Sequence, residues 1–203
     1  MNNSDSGYGL RALALKFWAQ PRYMKWQFTW SILRGILRLH QIDSRYLVLM
    51  GAGVKIAKRQ GRIITNGVCI VRPGCRIAVV GKKEQPAYLH IGVGTDIGDR
   101  TIINVSQCVK IGARCSISWD CDINDSDFHQ VIMADGQRPP IIKPIAIEDD
   151  VWIGSHSLIL KGVTIGHHSV VAAGSVVHHD MPPYSLVAGN PARRIGQISD
   201  WQR

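Results

Sequence analysis

From Ile147 onward an aliphatic residue returns every six positions: Ile147, Ile153, Ile159, Ile165, Val171 and Val177, six in unbroken phase. The residue after each is mostly small or acidic: Glu148, Gly154, Gly166 and Ala172, with Leu160 the exception. The same beat runs upstream through Ile91, Ile97 and Ile103, slips by two, and resumes at Val105, Ile111, Ile117 and Ile123. A weaker beat starts near Ile63. A period of six matches neither a helix at 3.6 nor an alternating strand at 2. It matches a prism, in which each unit supplies one short flat strand and one corner, and three units close a coil. The aliphatic residue points inward onto its counterparts above and below, and the small residue beside it lets the chain turn. The 20 glycines of the 203 residues suit a fold with so many tight corners. The sequence therefore predicts an all-β protein whose core is a stack of coils.

The beat stops after Ile123 and returns at Ile147. Between them NDSDFHQVIMADGQRPPIIKPIA has three prolines and an ADG turn signal, which reads as a loop over 124–146 ejected from the prism. A long irregular loop on a regular scaffold tends to carry function. It holds His129 beside Asp125 and Asp127. An imidazole there has the right proton affinity for a general base, and a nearby carboxylate or carbonyl would orient it. By composition alone, a solvent-exposed loop histidine competes with that reading, and the two aspartates serve turn capping equally well.

Residues 1–45 carry seven basic side chains against Asp5 and Asp43, a large share of the formal charge of +9. Such a balance suits nucleic acid, a membrane surface or an anionic small molecule. The absence of an RRM, KH or zinc-finger signature turns the reading away from nucleic acid. Residues 9–40 have no six-residue beat; apolar and basic residues alternate at mostly helical spacing, and Pro21 divides the stretch into two short helices. They either cap the open first coil or lie on an anionic membrane surface. No apolar run reaches the ~18 residues of a membrane span. The first residues lack the pattern of a secretory signal, so the expected place is the cytoplasm, peripheral at most to the inner face of the membrane. Five cysteines without a CxxC imply neither a disulfide framework nor a zinc knuckle. The expected layout is a helical basic segment over 1–45, the repeat domain over 46–195, and a tail over 196–203.

The stretches VWIGSHSLILKGVTIGHHSVVAAGSVV and PPYSLVAGNPARRI resemble the hexapeptide-repeat acyltransferases and look like their maltose and galactoside acetyltransferase branch. NDSDFH resembles the bacterial capsule and surface-polysaccharide O-acetyltransferases. The resemblance spans about residues 60–195 and implies a left-handed parallel β-helix, a handedness that spacing does not show. It also implies acetyl transfer from acetyl-CoA to a sugar or glycan hydroxyl, and assembly as a homotrimer with sites between subunits. The family's catalytic histidine falls on His129, 23 residues before Trp152. Asn104, Asp125, Asp127 and Trp152 fall near the acceptor, although Asn104 is equally suited to a structural asparagine ladder and Trp152 to packing between coils. The donor would lie along Gly154, Ser155, Ala173 and position 178, where the family has Thr or Ser and this chain has His178. Arg193 aligns with the family's arginine near the nucleotide phosphates, with Arg194 beside it and Lys161 on the same face; a guanidinium fork suits phosphate.

Other readings share this fold. A γ-carbonic-anhydrase-like zinc enzyme needs an HxxxxH pair, but Asn124 and Ala134 stand where His129 would need a histidine partner, so no metal is expected. A non-catalytic scaffold would dispense with the histidine. Within acyl transfer, a drug or a nucleotide sugar could be the acceptor.

Overall fold

In a computed structural model the chain is described over residues 22–38, 41–44 and 46–202. Helix α1 (Arg22–Leu37) starts directly after Pro21; the helix expected before that proline lies outside the described residues. After it the described residues form strands and corners, with one long loop between two of the strands. The first coil is β1 (Val48–Met50), β2 (Lys55–Arg59) and β3 (Gly61–Thr65); the second is β4 (Cys69–Val71), β5 (Arg76–Val80) and β6 (Ala87–Ile91). The third is β7 (Asp96–Ile97), β8 (Ile102–Val105) and β9 (Cys108–Ile111). The fourth is β10 (Ser116–Ile117), β11 (Asp122–Asn124) and, after the loop, β12 (Ile145–Ile147). Then come β13 (Trp152–Ile153), β14 (Leu158–Leu160), β15 (Thr164–Ile165), β16 (Val170–Val171) and β17 (Val176–Val177). The chain closes with β18 (Ser185–Gly189) and β19 (Ala192–Gln197).

Every third strand pairs in parallel, giving three faces. One face runs β1-β4-β7-β10-β13-β16-β18, a second β2-β5-β8-β11-β14-β17, and a third β3-β6-β9-β12-β15. This is the stack of coils the repeat predicts, a parallel β-helix with the left-handed winding that the resemblance implies. On the second face Ile77, Ile103, Ile123, Ile159 and Val177 stand in register; on the first, Val71, Ile97, Ile117, Ile153, Val171 and Val187 do. All are buried. Each such side chain contributes about 1.5–3 kcal/mol on leaving water, which explains the strictness of the beat. The slip of two residues has a physical cause. β5 and β8 run on for an extra pair, so Val79 and Val105 form a second inward row beside Ile77 and Ile103.

The corners are tight enough to demand small residues. A Cβ on Gly98 would lie 2.4 Å from the Ser118 carbonyl carbon, and one on Gly112 would lie 2.5 Å from an Asp149 carboxylate oxygen. Helix α1 lies on the open end. Arg34 Nε donates to the Met50 carbonyl, 3.0 Å away, and Arg38 donates to that of Val54, both on the first coil. Gly35 sits so close to β1 that a Cβ there would fall 1.9 Å from the Val48 oxygen. Helix α1 thus packs over the first coil. No helix among the described residues is long and apolar enough to cross a membrane.

Candidate active site

The fourth coil is interrupted between β11 and β12, at the corner joining the second and third faces. Its excursion is narrower than the 124–146 read from the sequence. Asp125 and Ser126 are buried, and the continuously exposed part runs over 127–140. The stems are tied together: Asp127 N donates to Ile141 O, Lys143 N donates to Asp125 O, and Ser126 bridges Ile142. Met133 N donates to Gln137 O and closes the ADG turn, where Gly136 has φ 82°. His129 stands exposed on this loop, and no hydrogen bond or ion pair engages its ring among the described residues. The residue before it, Phe128, has φ 61°, a conformation aromatic side chains seldom adopt. Its N–H is held by Ser126 Oγ at 3.0 Å, so the strained residue that directs His129 outward is anchored to the buried stem.

The two aspartates separate into different roles. Asp125, expected at the acceptor site, is fully buried. It occupies the place Val105 holds one coil earlier, and its oxygens accept from the N–H groups of Ser106 and Gln107 at 2.7 Å and of Cys108 at 2.9 Å. It closes the widened corner and offers nothing to an acceptor. Burial holds its carboxyl above the usual value against the pull of those N–H groups. Asp127 is exposed and paired with Lys161, whose ammonium also donates to Pro140 O at 2.6 Å. Lys161 therefore fastens both ends of the loop. Asn104 donates from Nδ2 to Asn124 Oδ1 at 2.7 Å, and Asn124 donates to Asp122 at 2.8 Å. The asparagine ladder is formed, side by side between coils and partly open to solvent.

Trp152 projects from the first face. Its indole N–H donates to Ser118 Oγ at 3.3 Å, and its ring lies 6.0 Å from that of Trp201. Trp201 in turn donates to the Asp150 carbonyl, so the tail folds back over this face. At the next corner Gly154 meets Ala173: a Cβ at 154 would fall 2.5 Å from the Ala173 nitrogen. Ser155 O accepts from Gly174 N at 2.8 Å. Gly154, Ser155 and Ala173 thus form a smooth strip along the corner between first and second faces. At its C-terminal end Arg193, on the β18–β19 hairpin, reaches His178 Nε2 at 3.4 Å. Desolvation first, then the neighbouring His179 and Arg193, hold His178 below the ordinary imidazole value. Arg194 turns away, onto Gly196 O and Gln197. The strip and the His129 loop leave different corners of the prism, and no hydrogen bond or ring contact joins them among the described residues.

Residues 144–179 match the family model for bacterial transferase hexapeptide repeats, six in number. The chain carries the hexapeptide repeat of the bacterial transferases. It is 42% identical over 121 residues to a 2,3,4,5-tetrahydropyridine-2,6-dicarboxylate N-acetyltransferase of Halalkalibacterium halodurans, covering 52% of this chain and 49% of the relative. It is 33% identical over 134 residues to the galactoside O-acetyltransferase of Escherichia coli, covering 61% and 65%. The chain spans about half to two thirds of the length of these curated relatives. Among solved structures, the polySia-specific acetyltransferase NeuO aligns with TM-score 0.54 and 27% identity over 78% of this chain and 89% of its own. The N-acyltransferase AntD of Bacillus cereus shares the fold, with TM-score 0.65 and 20% identity over 82% and 88%.

In this hexapeptide-repeat protein the five thiols are all free. Burial pushes Cys69 and Cys115 up to about 12 and Cys75 and Cys121 up to about 11, which leaves them inert structural residues. The sequence reading missed Trp201 and Trp119. Trp119 had a signal: it stands two residues after the inward Ile117, where the next two coils have Ser155 and Ala173. Trp201 had none, because its contact with Trp152 depends on the tail folding back.

Proposed function

We propose that this protein is an acetyl-CoA-dependent O-acetyltransferase acting on a sugar hydroxyl in the synthesis of a bacterial surface polysaccharide. The observation that carries the reading is His129: the interruption of the fourth coil raises an unpartnered imidazole into solvent on an anchored, strained loop. The likeness to NeuO, over 78% of this chain, supports it. The strip fits the donor. An extended arm needs a straight edge with no projecting side chain, and Gly154 and Ala173 keep that edge flat. Arg193, exposed and held beside His178 by a bond to the Ala192 carbonyl at 2.9 Å, suits the phosphates at the strip's C-terminal end.

A thioester supplies an activated acyl carbon and a good leaving sulfur. His129 takes the proton from the acceptor hydroxyl as its oxygen attacks, and returns that proton to the departing sulfur. The loop and the strip lie on different corners, so a complete site needs one subunit's loop beside the next subunit's strip. A closed trimer would supply this three times. The protein works in the cytoplasm, with the basic N-terminal segment at an anionic membrane surface.

A second reading has its own support: the identity to the tetrahydropyridine-dicarboxylate enzymes favours an amine acceptor. The test is thiol release from acetyl-CoA with sugars and with amines as acceptors, followed by mass spectrometry of the product. Acetylated hydroxyls support the first reading; acetylation of amines alone would replace it with the second.

A further inference from the structure

The corner between the first and second faces carries one residue per coil in the same place: Ala52, Pro73, Asp99, Trp119, Ser155 and Ala173. Backbone bonds between neighbouring coils fix this column, with Arg100 N donating to Pro73 O, Asp120 N to Asp99 O, His156 N to Trp119 O and Gly174 N to Ser155 O. Small residues fill the C-terminal half. At the fourth coil an indole, 53% exposed, stands up and ends the smooth strip. That coil also emits the His129 loop. Beyond Trp119, towards the second coil, lies a groove of about 420 Å³ lined by Arg72, Asp96, Asp99, Arg100 and Ser116.

The groove's chemistry is specific. Arg72 grips Asp96 through two bonds of 2.9 and 2.6 Å, and Arg100 grips Asp120 through two of 2.7 and 2.6 Å. Each guanidinium is neutralised by its partner yet stays about half exposed, with donors left over for a ligand. Asp99 adds a carboxylate that accepts no hydrogen bond among the described residues. The lining balances two arginines with two carboxylates, and Asp120 pairs with Arg100 from behind, so the groove has no surplus positive charge to hold a polyanion. Planar donors and acceptors beside an exposed indole suit vicinal hydroxyls and the apolar face of a pyranose. The groove extends over two coil steps of about 4.8 Å each, enough for more than one ring.

We infer that this groove is the acceptor subsite, taking a neutral, polyhydroxylated oligosaccharide with one ring stacked on Trp119. The inference rests on the acetyltransferase reading and sharpens it to a substrate class. It differs from what the likeness to a polySia-specific enzyme suggests, since polysialic acid is a polyanion.

The test uses the full chain against a panel of neutral and acidic oligosaccharides, each from one to four sugars long, with binding read by saturation-transfer NMR and calorimetry. Acetyl-CoA binding and the thermal unfolding midpoint are measured on the same samples. The expected result is that neutral members of two or more sugars bind best. Trp119→Ala should weaken that binding at least about tenfold, and Trp119→Phe less, as for loss and partial retention of an aromatic platform. Acetyl-CoA affinity should change far less. Preference for acidic members, equal binding by Trp119→Ala, or no binding by any member while acetyl-CoA still binds would overturn this inference alone. Failure to bind acetyl-CoA would instead strike the function it rests on.

Discussion

Ile159 and His129 stand for two ways of using a chain. Ile159 lies in a row of inward residues fixed by strands above and below, fully buried. His129 lies on a loop exposed over its whole run, tied to the wall at its stems and otherwise held only by its own bonds, among them Gln130 Nε2 to Pro139 O and Met133 N to Gln137 O. In the wall each residue is determined by its neighbours in adjacent coils, so any change there is felt as stability. In the loop nothing above the stems is laddered, so a change is felt as chemistry. The division should be sharp, and substitutions can be chosen to find its edge.

The largest effect expected is on the rate. His129→Ala should lower turnover by about 10²–10⁴-fold, the contribution of a positioned general base, and leave the unfolding midpoint unchanged. Thiol-release kinetics and a thermal melt on the same sample check both halves. A mutant that keeps more than half the wild-type rate would remove His129 from the chemistry, and one that melts much earlier would make the loop part of the wall.

The stems should show where the wall ends. Asp125→Ala leaves three backbone N–H groups in a buried corner without an acceptor, at about 1–3 kcal/mol each before relaxation, so a loss of several kcal/mol is expected in denaturant titration. Asp127→Ala, two residues on, breaks an exposed ion pair and should cost about 0–1 kcal/mol. Equal losses would erase the boundary. The pH dependence adds a sign. Burial raises the Asp125 carboxyl, so its contribution is fully present below the unfolded value of about 3.9 and is lost as pH rises through the folded value. Asp125→Asn does not titrate, so the stability of wild type relative to this mutant should fall as pH rises from about 4.

A smaller effect belongs to the donor strip. Arg193→Ala should raise the KM for acetyl-CoA about tenfold, the low end for a charge-assisted bond at an exposed site, with kcat changing less. The shift should shrink in high salt, because exposed charges are screened. Arg194→Ala should do less, since that side chain already bonds to its own strand. The reverse order, measured by steady-state kinetics, would reassign the phosphate contact.

These contrasts track what the sequence could express. The inward rows were legible because the wall repeats one local pattern: Ile147 to Val177 all point inward as the beat requires. The loop that carries His129 was legible because it leaves the wall where that pattern fails. Asp125 stayed open between acceptor contact and turn capping because its neighbour in space is Val105, and only the extra residue pair in β8 brings the two into line. Arg193 and Arg194 looked alike as consecutive arginines; the antiparallel hairpin separates them, sending one to His178 and the other to Gln197. Trp201 reached Trp152 through a fold-back that no periodicity encodes.

The smallest stability effect is expected on the outer side of α1, which divides the cap from whatever lies outside it. Its inner side is tight: Gly35 against Val48, and Arg34 and Arg38 on first-coil carbonyls. Its outer side exposes Trp26, Trp30, Leu33 and Leu37, spaced by four, three and four, which places them on one stripe of the helix. Capping needs only the inner side, and among the described residues nothing covers the stripe. With the surplus of basic residues in the first 45, it suits an anionic lipid surface, where apolar contact and charge add. The double substitution Trp30→Ser and Leu33→Ser should move the unfolding free energy by no more than about 0.5 kcal/mol, as for exposed positions. It should nevertheless abolish co-sedimentation with vesicles containing phosphatidylserine at low salt. If the wild type itself stays in the supernatant, α1 is a cap and nothing more; if the substitutions unfold the protein, the stripe belongs to the core after all.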